Sequence, residues 1–167
     1  MMKKTLKVWT DGATPNNQSK GDKVGGVGVF FGDNDPRNIS LKLKSTKTKV
    51  TNQTCELTAC IKALETILMT EKIGNTDIIV NTDSMYIVNT ITTWAKKWEK
   101  NKWIKADGKP VQNVELVSKL YYLAINTNAT FKHVYAHKAK PDEDSKDYED
   151  WYGNNQADLL AVTAAKS

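Results

Sequence analysis

At 167 residues the chain is long enough to bury one substantial core and too short for two ordinary domains, so a single domain over residues 1–167 is expected. Its 40% apolar and 26% charged residues are ordinary for a globular protein. No stretch approaches the roughly 20 apolar residues that cross a bilayer, which excludes a helical membrane protein. The net charge of +5 is almost all lysine, Arg37 being the single arginine, and favours a polyanionic partner met by point charges rather than bidentate forks.

The opening Met-Met-Lys-Lys has the charge of a secretory leader, yet Thr5 to Thr10 alternates like a strand and Asp11 arrives before any apolar run, so an intracellular protein is expected. Gly25 to Phe31 and Ile39 to Leu43 supply two more strands, and turn-rich joints make the three an antiparallel meander. Apolar residues at 57, 60, 61, 64, 67 and 68 then fall on one helical face, which Gly74-Asn75 ends. Within that helix Cys55 and Cys60 lack any zinc or redox spacing and read as reduced small hydrophobes. Asp77 to Asn81 is a short buried strand, followed by a helix from about Ser84 to Ile91 and a Trp- and Lys-rich stretch through Pro110. Asn113 reads as the cap of another helix. Thr130 to Tyr135 is a last strand, Lys138 to Asp150 a polar loop, and an Ala-rich helix begins near Asn155. The order β-β-β-α-β-α-α-β-α predicts an α/β fold: a five-stranded mixed sheet, three strands antiparallel and then two parallel, with helices on both faces.

Four acids sit at the ends of these elements. Asp11 and Asp83 each follow a strand, in Thr10-Asp11-Gly12 and Thr82-Asp83-Ser84; Glu56 lies early in one helix and Asp158 early in the last. Each alone reads equally as an Asx turn, a cap or a solvated residue. Together they converge over one sheet edge. Mg²⁺ takes hard oxygen ligands, and an ion pair about 4 Å apart can hold the attacking and leaving oxygens of a phosphodiester displacement.

In this order and on these elements, the chain resembles the type 1 ribonuclease H family. The matching stretches are Trp9-Thr10-Asp11-Gly12, Thr51-Asn52-Gln53-Thr54-Cys55-Glu56, Asn81-Thr82-Asp83-Ser84-Met85-Tyr86, Tyr135-Ala136-His137 and Gly153-Asn154-Asn155-Gln156-Ala157-Asp158. Gly26 to Gly32 and Thr51-Asn52-Gln53 are closer to the eukaryotic catalytic domain than to the bacterial enzyme. The resemblance implies a ribonuclease H-like fold and an endoribonuclease that hydrolyses the RNA strand of RNA·DNA hybrids, leaving 5′-phosphate and 3′-hydroxyl ends. Asp11, Glu56, Asp83 and Asp158 would hold two Mg²⁺, with Mn²⁺ able to substitute, and His137 would assist proton transfer or product release. A monomer is expected. A separate N-terminal hybrid-binding domain is expected to be absent, the first strand starting near Thr5.

The resemblance implies further roles. Asn52 and Gln53, with Glu56, would meet the 2′-hydroxyls that distinguish RNA from DNA, although as residues they read equally as a polar lead into a helix capped by Asn52 or Thr54. Thr51 and Asn113 would hold a DNA phosphate, with Lys49 nearby. Trp94 and Trp98 with Lys96, Lys97, Lys100 and Lys102 resemble a basic protrusion whose lysines neutralise DNA phosphates, at least one Trp serving the core instead. The spacing from His137 to Asp158 exceeds the family's. The extra segment brings Asp142, Glu143, Asp144, Asp147, Glu149 and Asp150, expected mostly in a solvated loop where they point to solvent, pair with Lys138, Lys140 and Lys146, or transiently gather Mg²⁺. Two other readings stay open: a catalytically silent hybrid-binding domain, and a DNA-cutting nuclease of transposase or resolvase type.

Overall fold

A computed structural model describes residues 3–15, 23–136 and 139–167. Strands β1 (Lys4–Ala13), β2 (Val24–Phe30) and β3 (Ile39–Lys44) precede helix α1 (Asn52–Thr70), a 3₁₀ turn (Ile73–Asn75) and β4 (Thr76–Thr82). Then come α2 (Met85–Asn89), a π-helical turn (Thr90–Trp94), α3 (Ala95–Lys100), α4 (Val114–Thr127), β5 (Thr130–His133) and α5 (Tyr148–Lys166). The sheet order is β3-β2-β1-β4-β5. β1 is antiparallel to β2 and parallel to β4, β2 is antiparallel to β3, and β4 is parallel to β5. This is the mixed sheet expected, with helices on both faces.

Alternation along β2 assigns the faces. Val27 and Val29 join Leu57, Cys60, Ile61, Leu64 and Ile67 of α1 in the main core, with Val117 and Leu120 of α4 behind them. On the other face α5 lies so close that a Cβ on Gly26 or Gly28 would overlap the carbonyl oxygens of Ala161 and Ala157. Trp9, Phe30 and Ala157 fill a smaller cluster there, with Tyr152 and Leu160 packed on it. No helix of the described residues is long and apolar enough to cross a membrane.

Several elements differ in extent from the sequence expectation. β1 runs to Ala13, so Asp11 lies within the strand, opposite Gly28 of β2, rather than after it. α1 begins at Asn52, and its cap is Thr51: the Thr51 hydroxyl accepts from the Thr54 N–H at 3.1 Å while Thr54 Oγ1 accepts from the Thr51 N–H at 2.8 Å. Neither Asn52 nor Thr54 is the cap residue. Helical structure after β4 reaches Lys100, because a π turn lets the helix continue through the Trp- and Lys-rich stretch. Asn113 stands at the N-cap of α4 in the left-handed conformation (φ 57°) and its side chain makes no cap hydrogen bond. α5 starts at Tyr148 rather than near Asn155, taking in residues read as loop.

Candidate active site

β1 and β4 run side by side only as far as Thr10 and Thr82. Beyond that pair β1 continues against β2 alone, and the chain after β4 turns into α2, whose cap is Ser84, its hydroxyl accepting from the Ile87 N–H at 3.2 Å. A crevice therefore opens outside the carboxyl ends of two parallel strands, where open α/β sheets commonly bind ligands. One register step past Thr10 and Thr82, Asp11 and Asp83 stand side by side. Glu56, in the second turn of α1, comes over the same edge because the Thr51 capping box fixes where that helix begins.

Asp11, Glu56 and Asp83 each offer a carboxylate oxygen within 4.8 Å of the others. Asp158 comes from α5, outside that group of three, and its side chain lies close enough to push Asp11 further up. Asp11 is buried, and its Oδ1 accepts from the Gly12 N–H at 2.9 Å. Burial, then the charges of Glu56 and Asp83, push Asp11 well above the ordinary carboxylate range. Burial and Asp83 push Glu56 up likewise. Glu56 Oε2 is buried and has no hydrogen-bond partner. Buried carboxylates this close cannot all ionise alone, and the orphaned oxygen lacks only a positive ligand. Hard oxygen donors with that deficit fit a divalent cation such as Mg²⁺ or Mn²⁺.

The remaining expected residues surround this crevice unevenly. The Thr51 hydroxyl is engaged as the α1 cap, and Asn52 Oδ1 accepts from the Thr14 hydroxyl at the end of β1. Gln53 and Lys49 are exposed beside them. Lys96, Lys97, Lys100 and Lys102 are all exposed on and after α3. Trp98 and Trp103 pack against the main core, whereas Trp94 is 39% exposed with its ring 5.9 Å from that of Trp98. Trp98 is thus the structural member of the pair. His137 and Lys138 lie outside the described residues. Cys55 and Cys60 are free and buried, as expected of small hydrophobes.

Sequence reading missed a row along α5. Asp150, Asn154 and Asp158 recur every four residues on one helix face. Asp150 accepts from Trp9 Nε1 (3.2 Å) and from Lys132 Nζ (2.7 Å), and Asn154 is buried with its Oδ1 unpartnered. The spacing was available as a signal, but it is also that of a solvated helix face. The acids of the inserted segment are likewise only partly paired as expected. Glu143 meets Lys140 at 3.7 Å, but Glu149 reaches Lys7 and Asp150 reaches Lys132, both on the sheet.

Comparison with known proteins bears on this site. A family model described as RNase H matches residues 3–166. A ribonuclease H of Schizosaccharomyces pombe is 36% identical over 158 residues, covering 95% of this chain and 52% of that protein. Human ribonuclease H1 is 33% identical over 159 residues, covering 95% of this chain and 49% of that protein. The chain thus spans about half the length of both. A ribonuclease H of Ruthia magnifica is 35% identical over 159 residues, covering 94% of this chain and 92% of that protein. Among solved structures, LC9-RNase H1, a type 1 RNase H with the type 2 active-site motif, superposes with a TM-score of 0.72 at 23% identity, over 99% of this chain and 74% of that one. LC11-RNase H1 in complex with RNA/DNA hybrid superposes with a TM-score of 0.59 at 19% identity, over 96% of each chain.

Proposed function

The chain belongs to the ribonuclease H family, and we propose that it hydrolyses the RNA strand of RNA·DNA hybrids at the carboxylate crevice, leaving 5′-phosphate and 3′-hydroxyl ends. The observation that carries this reading is the meeting of Asp11, Glu56 and Asp83 within 4.8 Å, with a Glu56 oxygen buried and unpartnered. Asp11, Glu56, Asp83 and Asp158 would hold two Mg²⁺, with Mn²⁺ as substitute. When bound, such a pair neutralises the carboxylates and the charge that builds on the reacting phosphate.

The chain's own residues supply recognition. Asn52 and Gln53 open α1 beside Glu56, where amides can exchange hydrogen bonds with 2′-hydroxyls and so separate RNA from DNA. Lys96, Lys97, Lys100 and Lys102 neutralise phosphates of the DNA strand, Trp94 offers a partly exposed ring to its sugars, and Asn113 and Lys49 hold a further phosphate. Thr51 joins them, its hydroxyl oxygen accepting the cap hydrogen bond while the O–H can donate to a phosphate. His137 moves a proton near the carboxylates.

The test is cleavage of matched RNA·DNA, RNA·RNA and DNA·DNA duplexes in Mg²⁺. Cleavage confined to the RNA of the hybrid is expected. Cutting of DNA·DNA overturns the reading in favour of a DNA nuclease, and binding without cutting in favour of a silent domain. Asp11→Asn and Asp83→Asn should each lower the rate by more than about a hundredfold while leaving hybrid affinity within a few-fold, since one ligand charge is lost without opening a cavity. Retention of about a tenth of the activity by either variant refutes its assignment.

A further inference from the structure

At the free edge of β5, between the strand's end and the first turns of α5, lies a cavity of about 400 Å³ walled by His133, Tyr135, Pro141, Asp147 and Trp151 among others, within the size range of small-ligand sites. It adjoins the carboxylates: the Val134 N–H donates to the carbonyl of Thr82, the residue before Asp83, at 2.9 Å. Much of its wall is aromatic. His133 and Tyr135 meet edge to face at 4.8 Å, Tyr135 is 66% exposed, and the Trp151 ring lies 5.8 Å from that of Tyr148.

Its two carboxylates differ. Asp150 is committed on both oxygens, to Trp9 and Lys132. Asp147 occupies the N-cap position of α5, yet its side chain makes no cap hydrogen bond, so its acceptors remain for whatever enters the cavity. A bare phosphate would meet these carboxylates unfavourably. Lys132 in the wall is already paired with Asp150, which leaves the Asp147 carboxylate as the unmatched acceptor. An uncharged aromatic ring with N–H donors on its edge suits both the π surface and the acceptor.

We infer that this cavity takes an unpaired guanine, whose adjacent N1–H and N2–H donors match the two oxygens of one carboxylate, from single-stranded RNA flanking a hybrid held at the carboxylates. The inference rests on the ribonuclease reading for its source of RNA. It assigns a substrate-reading role to the inserted segment, which supplies Pro141, Asp147 and Trp151.

The experiment compares a short blunt RNA·DNA hybrid with the same hybrid carrying an RNA overhang of three guanosines or three uridines, with binding read in Ca²⁺ and cleavage in Mg²⁺. Stacking of one base should tighten binding of the guanosine overhang about tenfold over the blunt duplex, with a smaller gain for uridine. Trp151→Ala and the more exposed Tyr135→Ala should each remove the gain and leave cleavage of the blunt hybrid unchanged. Asp147→Ala should narrow the gap between guanosine and uridine to what stacking alone leaves. Equal binding of blunt and overhang hybrids, or a gain that survives both aromatic substitutions, overturns the inference. Absence of blunt-hybrid cleavage counts against the ribonuclease reading, whereas cleavage without an overhang gain counts against the cavity alone.

Discussion

Asp11 and Glu56 place the protein's function and its stability in opposition. The fold raises the pKa of both carboxyls, first by burial and then by the charges of Glu56 and Asp83 on Asp11 and of Asp83 on Glu56, while the unfolded chain ionises them above about pH 4. Between those limits the folded state binds more protons than the unfolded, so stability falls as pH rises. Metal-free protein should therefore melt highest in mild acid and lose melting temperature steadily through neutrality. Added Mg²⁺ should restore more of it at pH 8 than at pH 5, because the cation takes the place of the protons. Calorimetry across that range checks this, and a metal-free melting temperature that rises with pH would refute it. Asp11→Asn, inactive by expectation, should be more stable than the parent in chelator at neutral pH, since Asn takes up no proton on folding. Asp11, Glu56, Asp83 and Asp158 were singled out through the stretches that resemble the family; element ends alone were a weaker guide, since Asp11 lies within β1 and Asp158 well inside α5. Asn154 was not singled out, because an Asn in a helix looks solvated until the sheet beneath it is known.

The elements were legible where an apolar period governed them and misread where it lapsed. The first turn of α1 carries Asn52 and Gln53, which add nothing to the buried stripe, so periodicity reported the helix only from Leu57 and left its cap open between Asn52 and Thr54, when the Thr51 capping box starts it at Asn52. The first turns of α5 are held by Tyr152 to Asp33, Glu149 to Lys7 and Asp150 to Lys132, contacts with distant strands that no local period reports. Between α2 and α3 the π turn closes with the Ala95 N–H donating to the Thr90 carbonyl. Its extra residue rotates the residues of α3 by about 100° relative to an unbroken helix, which hides the pattern from a search at a fixed period. Past the turn, Trp98 lies on the core and Lys96, Lys97 and Lys100 face solvent. Replacing Lys96, Lys97, Lys100 and Lys102 together by Ala should raise KM, leave kcat within about threefold, and flatten the salt dependence of hybrid binding by about one unit of log–log slope per lost phosphate contact. Preference for RNA·DNA over DNA·DNA should survive, its source being the 2′-hydroxyls. An unchanged slope would show that this helix does not meet the nucleic acid.

At the scale of the whole molecule the proposed four-acid site depends on how closely α5 lies on the sheet, because Asp158 is the one of those acids that arrives from that face. The seat is made by absent side chains: Gly26 and Gly28 on β2 admit Ala161 and Ala157, and Gly153 admits the ring of Trp9. Gly28 is the register partner of Asp11, so the contact that sets the height of α5 lies level with the carboxylate that Asp158 must reach. A methyl group at this point meets a backbone carbonyl on a helix whose first turns are tied to Asp33, Lys7 and Lys132, and neither side can yield locally. Gly28→Ala should accordingly cost about 1–3 kcal/mol, as overpacking does in a filled core, and appear as a lower melting temperature. It should also lower kcat more than KM by lifting Asp158 away from Asp11 while the lysines of α3 and the start of α1 stay in place. Gly74→Ala is the matched control: nothing lies within 4 Å of a Cβ there, and both stability and kcat should hold. Equal losses from the two substitutions would mean that the seating of α5 does not govern the effect, since the lowered chain entropy of a Gly→Ala change stabilises. A destabilised Gly28→Ala protein with undiminished kcat at a temperature where it is folded would mean that Asp158 is not needed at its present distance from Asp11.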